Sequence, residues 1–280
     1  MSRQAGLRSV GSIACVVLAV LASGCSDNGG RSPDPSQSNP PSGSTKPAAV
    51  VCNGANEVNQ DDDGAVHALL QPSQLPPGQW TTAQTPPCPW ALSADELLAV
   101  PACRAAAASA NAPANGEARN GNGRVTFARA GGIQLDDRIE IYTSRQNVDS
   151  IRAILAAPSM PACYAGALQR RADHEPGTTV RDVRVSSFAV QPDAAALGLG
   201  FPAVDGYAAD AGFADGVNIT FTSTTKGSST PVTMRVIAFG SGGLMSTVSV
   251  IGANRAELDA FDLPDTLRAA AKNHRAMMGQ

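Results

Sequence analysis

The chain opens on an uncharged apolar run, Ser12-Ile-Ala-Cys-Val-Val-Leu-Ala-Val-Leu-Ala22, and then turns polar from position 26 to 49. Further on, apolar positions recur with two periods. Ser93 followed by Glu96 forms a capping box ahead of Leu97 and Leu98, which predicts a helix start. A second helix begins near Ser144, with Val148, Ile151, Ile154 and Leu155 on one face. Strand periodicity marks 124–130 and 135–142, and Gly131-Gly132 between them predicts a hairpin. A third strand is predicted over 180–190. Three more follow over 217–224, 232–239 and 244–250, the last two joined by a turn at Gly240-Ser-Gly-Gly243. A helix starting with Pro264 closes the pattern at about Met277, proline being suited to a first helical turn. Hairpin-like connections predict a largely antiparallel sheet with helices packed on one face, an α+β fold.

The pattern also repeats. Asp95-Glu-Leu-Leu-Ala-Val-Pro-Ala-Cys103 returns loosely as Arg152-Ala-Ile-Leu-Ala-Ala-Pro-Ser-Met-Pro-Ala-Cys163. In each, an apolar helix stops at a proline and Pro-Ala-Cys opens another helical stretch. This suggests a duplicated half, built of helix and strand pair.

The first apolar run is shorter than the roughly 20 residues that span a bilayer. With Arg3 and Arg8 before it and no acid, it reads as the core of a secretory signal. It ends at Leu21-Ala22-Ser23-Gly24-Cys25. These residues resemble the lipobox of bacterial lipoproteins, which implies a diacylglycerol thioether on Cys25 and a cell-membrane location on the extracytoplasmic face. Ala22 stands where that family prefers leucine, and Ala22-Ser23-Gly24 also fits ordinary signal peptidase, whose product would be secreted. Acyl chains anchor because each buried CH₂ contributes about 0.8 kcal/mol. The division expected is 1–24 signal peptide, 25–50 lipid anchor and linker, and 51–280 a single extracytoplasmic domain. The linker lacks large apolar side chains and cannot offset its ordering entropy.

Charge narrows the partners. The whole chain has 21 basic and 24 acidic residues. Removing 1–24 takes two arginines and no acid, leaving 19 − 24 = −5. No net basic field exists to attract nucleic acid. Among the 6 cysteines, Cys15 lies in the signal and Cys25 is the lipid acceptor, leaving Cys52, Cys88, Cys103 and Cys163. Export favours disulfides over metal, since the spacings are not those of zinc sites and the histidines are scattered. Three connectivities are open. If the repeat is a duplication, Cys103 and Cys163 are equivalent, favouring Cys103–Cys163 with Cys52–Cys88. The rival pairs Cys88 with Cys103.

Leu69-Leu-Gln-Pro-Ser-Gln-Leu-Pro-Pro-Gly-Gln-Trp80 resembles the opening of exported actinobacterial lipoproteins. The later layout, with two cysteine-bearing helices, strand pairs and a terminal helix, is similar to theirs. They are related in plan to the extracellular sensor domains of actinobacterial serine/threonine kinases. The resemblance implies a non-catalytic, partner- or ligand-sensing domain and transfers no functional residue.

The candidate chemistry is sparse. Asn59-Gln-Asp-Asp-Asp-Gly64 mimics half a calcium loop but has Leu70 where the bidentate glutamate belongs. Phe239-Gly-Ser-Gly-Gly243 is not a nucleophile elbow, because a strand follows it. The run 115–124 is expected to be a loop. His67, His174 and His274 read as surface histidines. Asp136, Asp137 and Glu140 lie on a strand with Arg138 and suit a solvent face, and a pair of carboxylates in a cleft would look the same. Trp80 and Trp90, with Tyr207 and Phe213 on a glycine-rich loop, are the candidate lining of a ligand cleft. No cofactor or metal is expected. The membrane, through Cys25, is the first partner expected, and a small apolar ligand or an envelope protein the second. The leading reading is a lipid-anchored binding or sensor domain without catalysis. The alternatives are a lipid- or wall-modifying enzyme and a structural partner in an envelope complex. A buried Ser–His pair or facing carboxylates inside a cleft would favour the enzyme.

Overall fold

A computed structural model describes residues 63–82, 90–109, 119–130, 132–142, 144–200 and 209–279, all within one unit spanning Thr45–Gln280. Its centre is a 7-stranded sheet in the order β1-β2-β3-β7-β6-β5-β4. The strands are β1 (Trp80–Thr82), β2 (Arg119–Arg129), β3 (Gln134–Tyr142), β4 (Thr178–Ala189), β5 (Phe213–Thr225), β6 (Ser228–Ser241) and β7 (Leu244–Gly252). Every pairing is antiparallel. Among the described residues the helices are α1 (Asp63–His67), α2 (Ala94–Leu98), α3 (Pro101–Ser109), α4 (Arg145–Ala156), α5 (Met160–Asp173), α6 (Arg255–Asp259) and α7 (Leu263–Met277). The class is α+β. The run expected to be a loop enters β2 at Arg119, with a register shift between Arg119 and Gly121.

Local signals set the helix starts. The Ser93 hydroxyl accepts the Glu96 N–H while Glu96 accepts the Ser93 N–H, closing the capping box. The Ser144 hydroxyl accepts the Gln146 N–H at the head of α4. Asp262 accepts the Asp265 N–H at the head of α7, with Pro264 in its first turn.

The layering departs from the expectation of helices on one face. Helices α2 to α5 cover one face, packing on Val217, Ile219, Val236, Ala238 and Met245. Helices α6 and α7 cover the other, packing on Ile237, Phe239, Val248 and Val250. Successive side chains of a strand point to opposite faces, and every residue of β7 is buried. A strand apolar on both sides must be covered on both sides.

The order helix–helix–strand–strand occurs twice, as α2-α3-β2-β3 and α4-α5-β4-β5. Cys103 on α3 and Cys163 on α5 are joined, with Cα atoms 4.9 Å apart and both sulfurs in the core. With a sequence separation of 60, that link stabilises by about 4 kcal/mol in the chain-entropy account. Cys25, Cys52, Cys88 and the acidic run at 61–62 lie outside the described residues.

Candidate functional site

The side chains with catalytic vocabulary sit mostly in the middle of the sheet. Asp136, Asp137, Arg138 and Glu140, expected on a solvent face, are 1, 1, 8 and 1% exposed. The reason is position. Strand β3 lies between β2 and β7 and is covered on both faces. Asp136, Arg138 and Glu140 point to the face under α2 to α5. There the Asp136 carboxylate accepts the Arg124 Nε–H at 2.7 Å and the Thr126 hydroxyl at 2.9 Å. Burial pulls the Arg138 guanidinium down, but Glu140, Asp136 and Glu96 outweigh it and hold Arg138 above its ordinary value. Arg124 is pulled below its ordinary value by burial, only partly offset by Asp136. Glu96 in turn pairs with Arg171 of α5. These charges serve one another: the network ties the β2–β3 hairpin to α2 and α5.

Asp137 points to the opposite face. One carboxylate oxygen accepts the Leu70 N–H at 2.8 Å, and the other, Oδ1, has no partner among the described residues. Burial lifts this carboxyl to about 7, the Leu70 N–H pulling back only in part. On the same face Ser246 Oγ lies 2.8 Å from His274 Nδ1. His274 was expected on an exposed helix face and is instead 0% exposed. Leu263, Leu267, Ala270 and Ala271 form the buried stripe of α7, and His274 continues it at helical spacing. That stripe was the signal in the sequence.

A serine beside a histidine is the grammar of nucleophilic catalysis. Here the geometry does not serve it. Ser246 is 1% exposed, so no substrate carbonyl reaches its oxygen. In a triad an acid holds the imidazole nitrogen that does not face the serine, whereas here Nε2 meets no partner among the described residues. Burial lowers His274 to about 4, so the ring is neutral at pH 7. The pair pins α7 to β7. His67 and His174 are exposed. Among the described residues no group of three His, Cys, Asp or Glu is placed to hold a metal.

The aromatic candidates do not gather. Trp90 is 3% exposed and packs edge-on against Phe221 with centroids 5.0 Å apart. It lines a crevice with Leu92, Leu97, Ile151, Tyr164 and Met245, whose free space of about 10 Å³ admits about one water. Phe213 is not on a loop; it opens β5 and is buried in the same core. Trp80 lies with the opposite core, half-buried, its Nε1–H donated to the Pro76 carbonyl at 2.7 Å and its ring edge-on to Phe261. Tyr207 lies outside the described residues.

Among the described residues, the α7 side of β4, β5 and β6 keeps polar side chains half-buried to exposed. Thr220 and Thr222 of β5 and Thr233 of β6 share it. Arg235 also points there but is held by Asp259 and the Leu258 carbonyl. At the edge, β4 reads Val180-Arg-Asp-Val-Arg-Val185. Strict alternation would send Arg184 inward with Val180. Instead the register shifts between Arg181 and Arg184, around Asp182 at φ 56°. The bulge absorbs one residue. Val180 and Val185 therefore both face the core, opposite Ser223 and Ile219. Arg181 and Arg184 both face outward, opposite Thr222 and Thr220, and both are exposed. A regular strand over 180–190 would not form this surface; the bulge at Asp182 does.

No family model matches the chain. No curated protein matches it. Among solved structures it is similar to the extracellular domain of PknH from Mycobacterium tuberculosis, at 10% identity over 74% of this chain and 81% of that one, with a TM-score of 0.27. A likeness that loose bears on neither ligand nor chemistry.

Proposed function

We propose that this chain is a lipid-anchored, extracytoplasmic binding domain of the sensor type, with no catalysis of its own. One observation supports it above the rest. Ser246, His274 and Asp137, the groups suited to nucleophile, base and acid, are enclosed in the core, while an open sheet face carries hydroxyls and guanidinium groups. Enclosed groups cannot turn over a substrate; an open polar face can make and release contacts. The narrow crevice beside Trp90 favours a large ligand over a small apolar one. The anchor reading rests on Cys25 behind Leu21-Ala22-Ser23-Gly24.

The test has two readouts on the full chain. Membrane fractionation of the parent and of Cys25→Ser should move the protein from membrane to soluble fraction in the variant. Detergent-purified parent should then be retained, saturably and unchanged, on immobilised cell-envelope material. An unmoved Cys25→Ser protein overturns the anchor. No retention, or release of a hydrolysed envelope product, overturns the binding reading.

A further inference from the structure

We infer that the open face of β4, β5 and β6 is a docking surface for an acidic polysaccharide, whose carboxylate or phosphate groups are held by Arg181 and Arg184. The inference deepens the binding reading above and rests on it.

Charge complementarity carries it. The protein is acidic overall, with 24 acidic against 21 basic residues. Yet the outward paired positions of β4 and β5, from Thr179 to Phe188 and from Gly216 to Thr224, are Thr, Ser, Asn, Arg, Gly and Phe, without a carboxylate; exposed Asp182 stands in the bulge between the two arginines and leaves β4 net positive. Neither Arg181 nor Arg184 makes an ion pair or a side-chain hydrogen bond among the described residues. Two arginines on one face are separated by two rungs, about 7 Å along the strand. Each presents a planar fork that takes an oxyanion in two parallel bonds.

The bulge makes this arrangement and not mere chance exposure. Asp182 stands at φ 56°, a left-handed conformation that glycine, asparagine and aspartate adopt more readily than other residues. Its consequence is to keep both arginines outward while both flanking valines stay in the core. Between and beside the arginines lie the hydroxyls of Thr220, Thr222, Thr233 and Ser186. Hydroxyls both donate and accept, as sugar hydroxyls require.

The same face suits other macromolecules less well. Protein interfaces centre on aromatic residues and methionine together with arginine, of which this face offers chiefly arginine, and membrane-surface sites insert apolar side chains beside their cations. Among the outward positions, Phe188 is the large apolar residue, and it is half-buried over Gly216. Single-stranded nucleic acid needs stacking platforms that this face lacks.

The experiment is a binding titration of the detergent-purified full chain against polygalacturonate, with neutral dextran and phosphatidylglycerol vesicles as competing probes. Three proteins are compared: parent, the Arg181→Gln/Arg184→Gln pair, and Arg170→Gln, an exposed arginine on α5. Thermal unfolding verifies that all remain folded. The parent should bind polygalacturonate in a salt-sensitive way and ignore dextran. The double variant should bind at least about tenfold more weakly, and Arg170→Gln within about twofold of the parent. Equal binding by parent and double variant overturns the site while leaving the binding reading intact. Equal retention of dextran overturns the charge argument. Arginine-dependent capture by vesicles alone reassigns the face to a membrane surface and overturns the polysaccharide. No binding to polygalacturonate overturns this inference; the binding reading itself fails only if envelope material is also not retained.

Discussion

Strands β3 and β4 are written in similar letters and have opposite fates. β3 carries Leu135-Asp-Asp-Arg-Ile-Glu-Ile141 and β4 carries Val180-Arg-Asp-Val-Arg-Val185. Both mix charges with aliphatic residues. In β3 every charge is enclosed; in β4 every charge is exposed. The difference lies in neighbours. β3 is flanked by β2 and β7 with helices over both faces, while β4 is an edge with one face open. Removing an ion from water costs several kcal/mol unless a partner repays it. β3 therefore has a network: Arg124, Asp136, Arg138, Glu140 and the Glu96–Arg171 pair. β4 needs none. Its arginines are exposed.

The sharpest break of this contrast is to truncate one partner in each strand. Asp136→Ala leaves the Arg124 guanidinium buried without its carboxylate and should cost about 3–5 kcal/mol in urea unfolding. Arg181→Gln on β4 should stay within about 0.5 kcal/mol of the parent. If the two variants lose equally little, the β3 charges are not enclosed as described. The paired replacement Arg124→Met with Asp136→Leu should recover most of the loss, because it removes both charges together.

A smaller effect separates two groups inside the closed half. Asp137 has a folded value near 7, against 3.8 for the ordinary side chain. Its folded form therefore holds a proton that the unfolded form has lost. That contribution is full below about pH 3.8 and is lost as pH rises through 7. His274 runs the other way, with a folded value near 4 against 6.5. Its contribution is full above pH 6.5 and is lost as pH falls through 4. Each amounts to on the order of 3 kcal/mol across its window. The two oppose between pH 4 and 6.5. Asp137→Asn should make stability climb more steeply with pH in that range than in the parent. His274→Gln should make it fall. Unfolding curves at pH 4, 5, 6 and 7 measure both slopes, and parallel profiles for all three proteins would mean neither group titrates differently on folding.

What could be read from the sequence follows the range of the interactions involved. Capping at Ser93 and Ser144, the β2–β3 hairpin and the last strands are set by residues within a few positions of each other, and they stand where the pattern placed them. The burial of Asp136 and Glu140 depends on β7 pairing with β3 from more than 100 positions away, at Ser249 and Met245. Local alternation carries no trace of that pairing, so the charges looked solvated. The second helical layer went unseen for the same reason. Two features were written locally and overlooked. His274 sits one turn beyond Ala270 and Ala271 on an apolar stripe. The phase of the β4 valines requires an extra residue near Asp182. Of the cleft candidates among the described residues, Trp80 belongs to one core and Trp90 and Phe213 to the other.

The smallest effect tests the device that distinguishes β4. Asp182 holds φ 56°, a conformation open to glycine and to short polar residues that bond locally. Asp182→Gly removes the steric cost of the side chain but adds chain entropy to the unfolded state. The two nearly cancel, so stability should change by less than about 1 kcal/mol and polygalacturonate binding should persist. Asp182→Val carries a branched side chain into the same conformation and should lose about 1–2 kcal/mol, or shift the register to escape. Because the strand period is two, a shift by one residue turns Arg184 toward the core and Val185 toward water. Binding should then fall with stability. A valine variant as stable as the parent, with binding intact, would show that the arginines share a face without the bulge, and the physical reason given for their placement would be wrong.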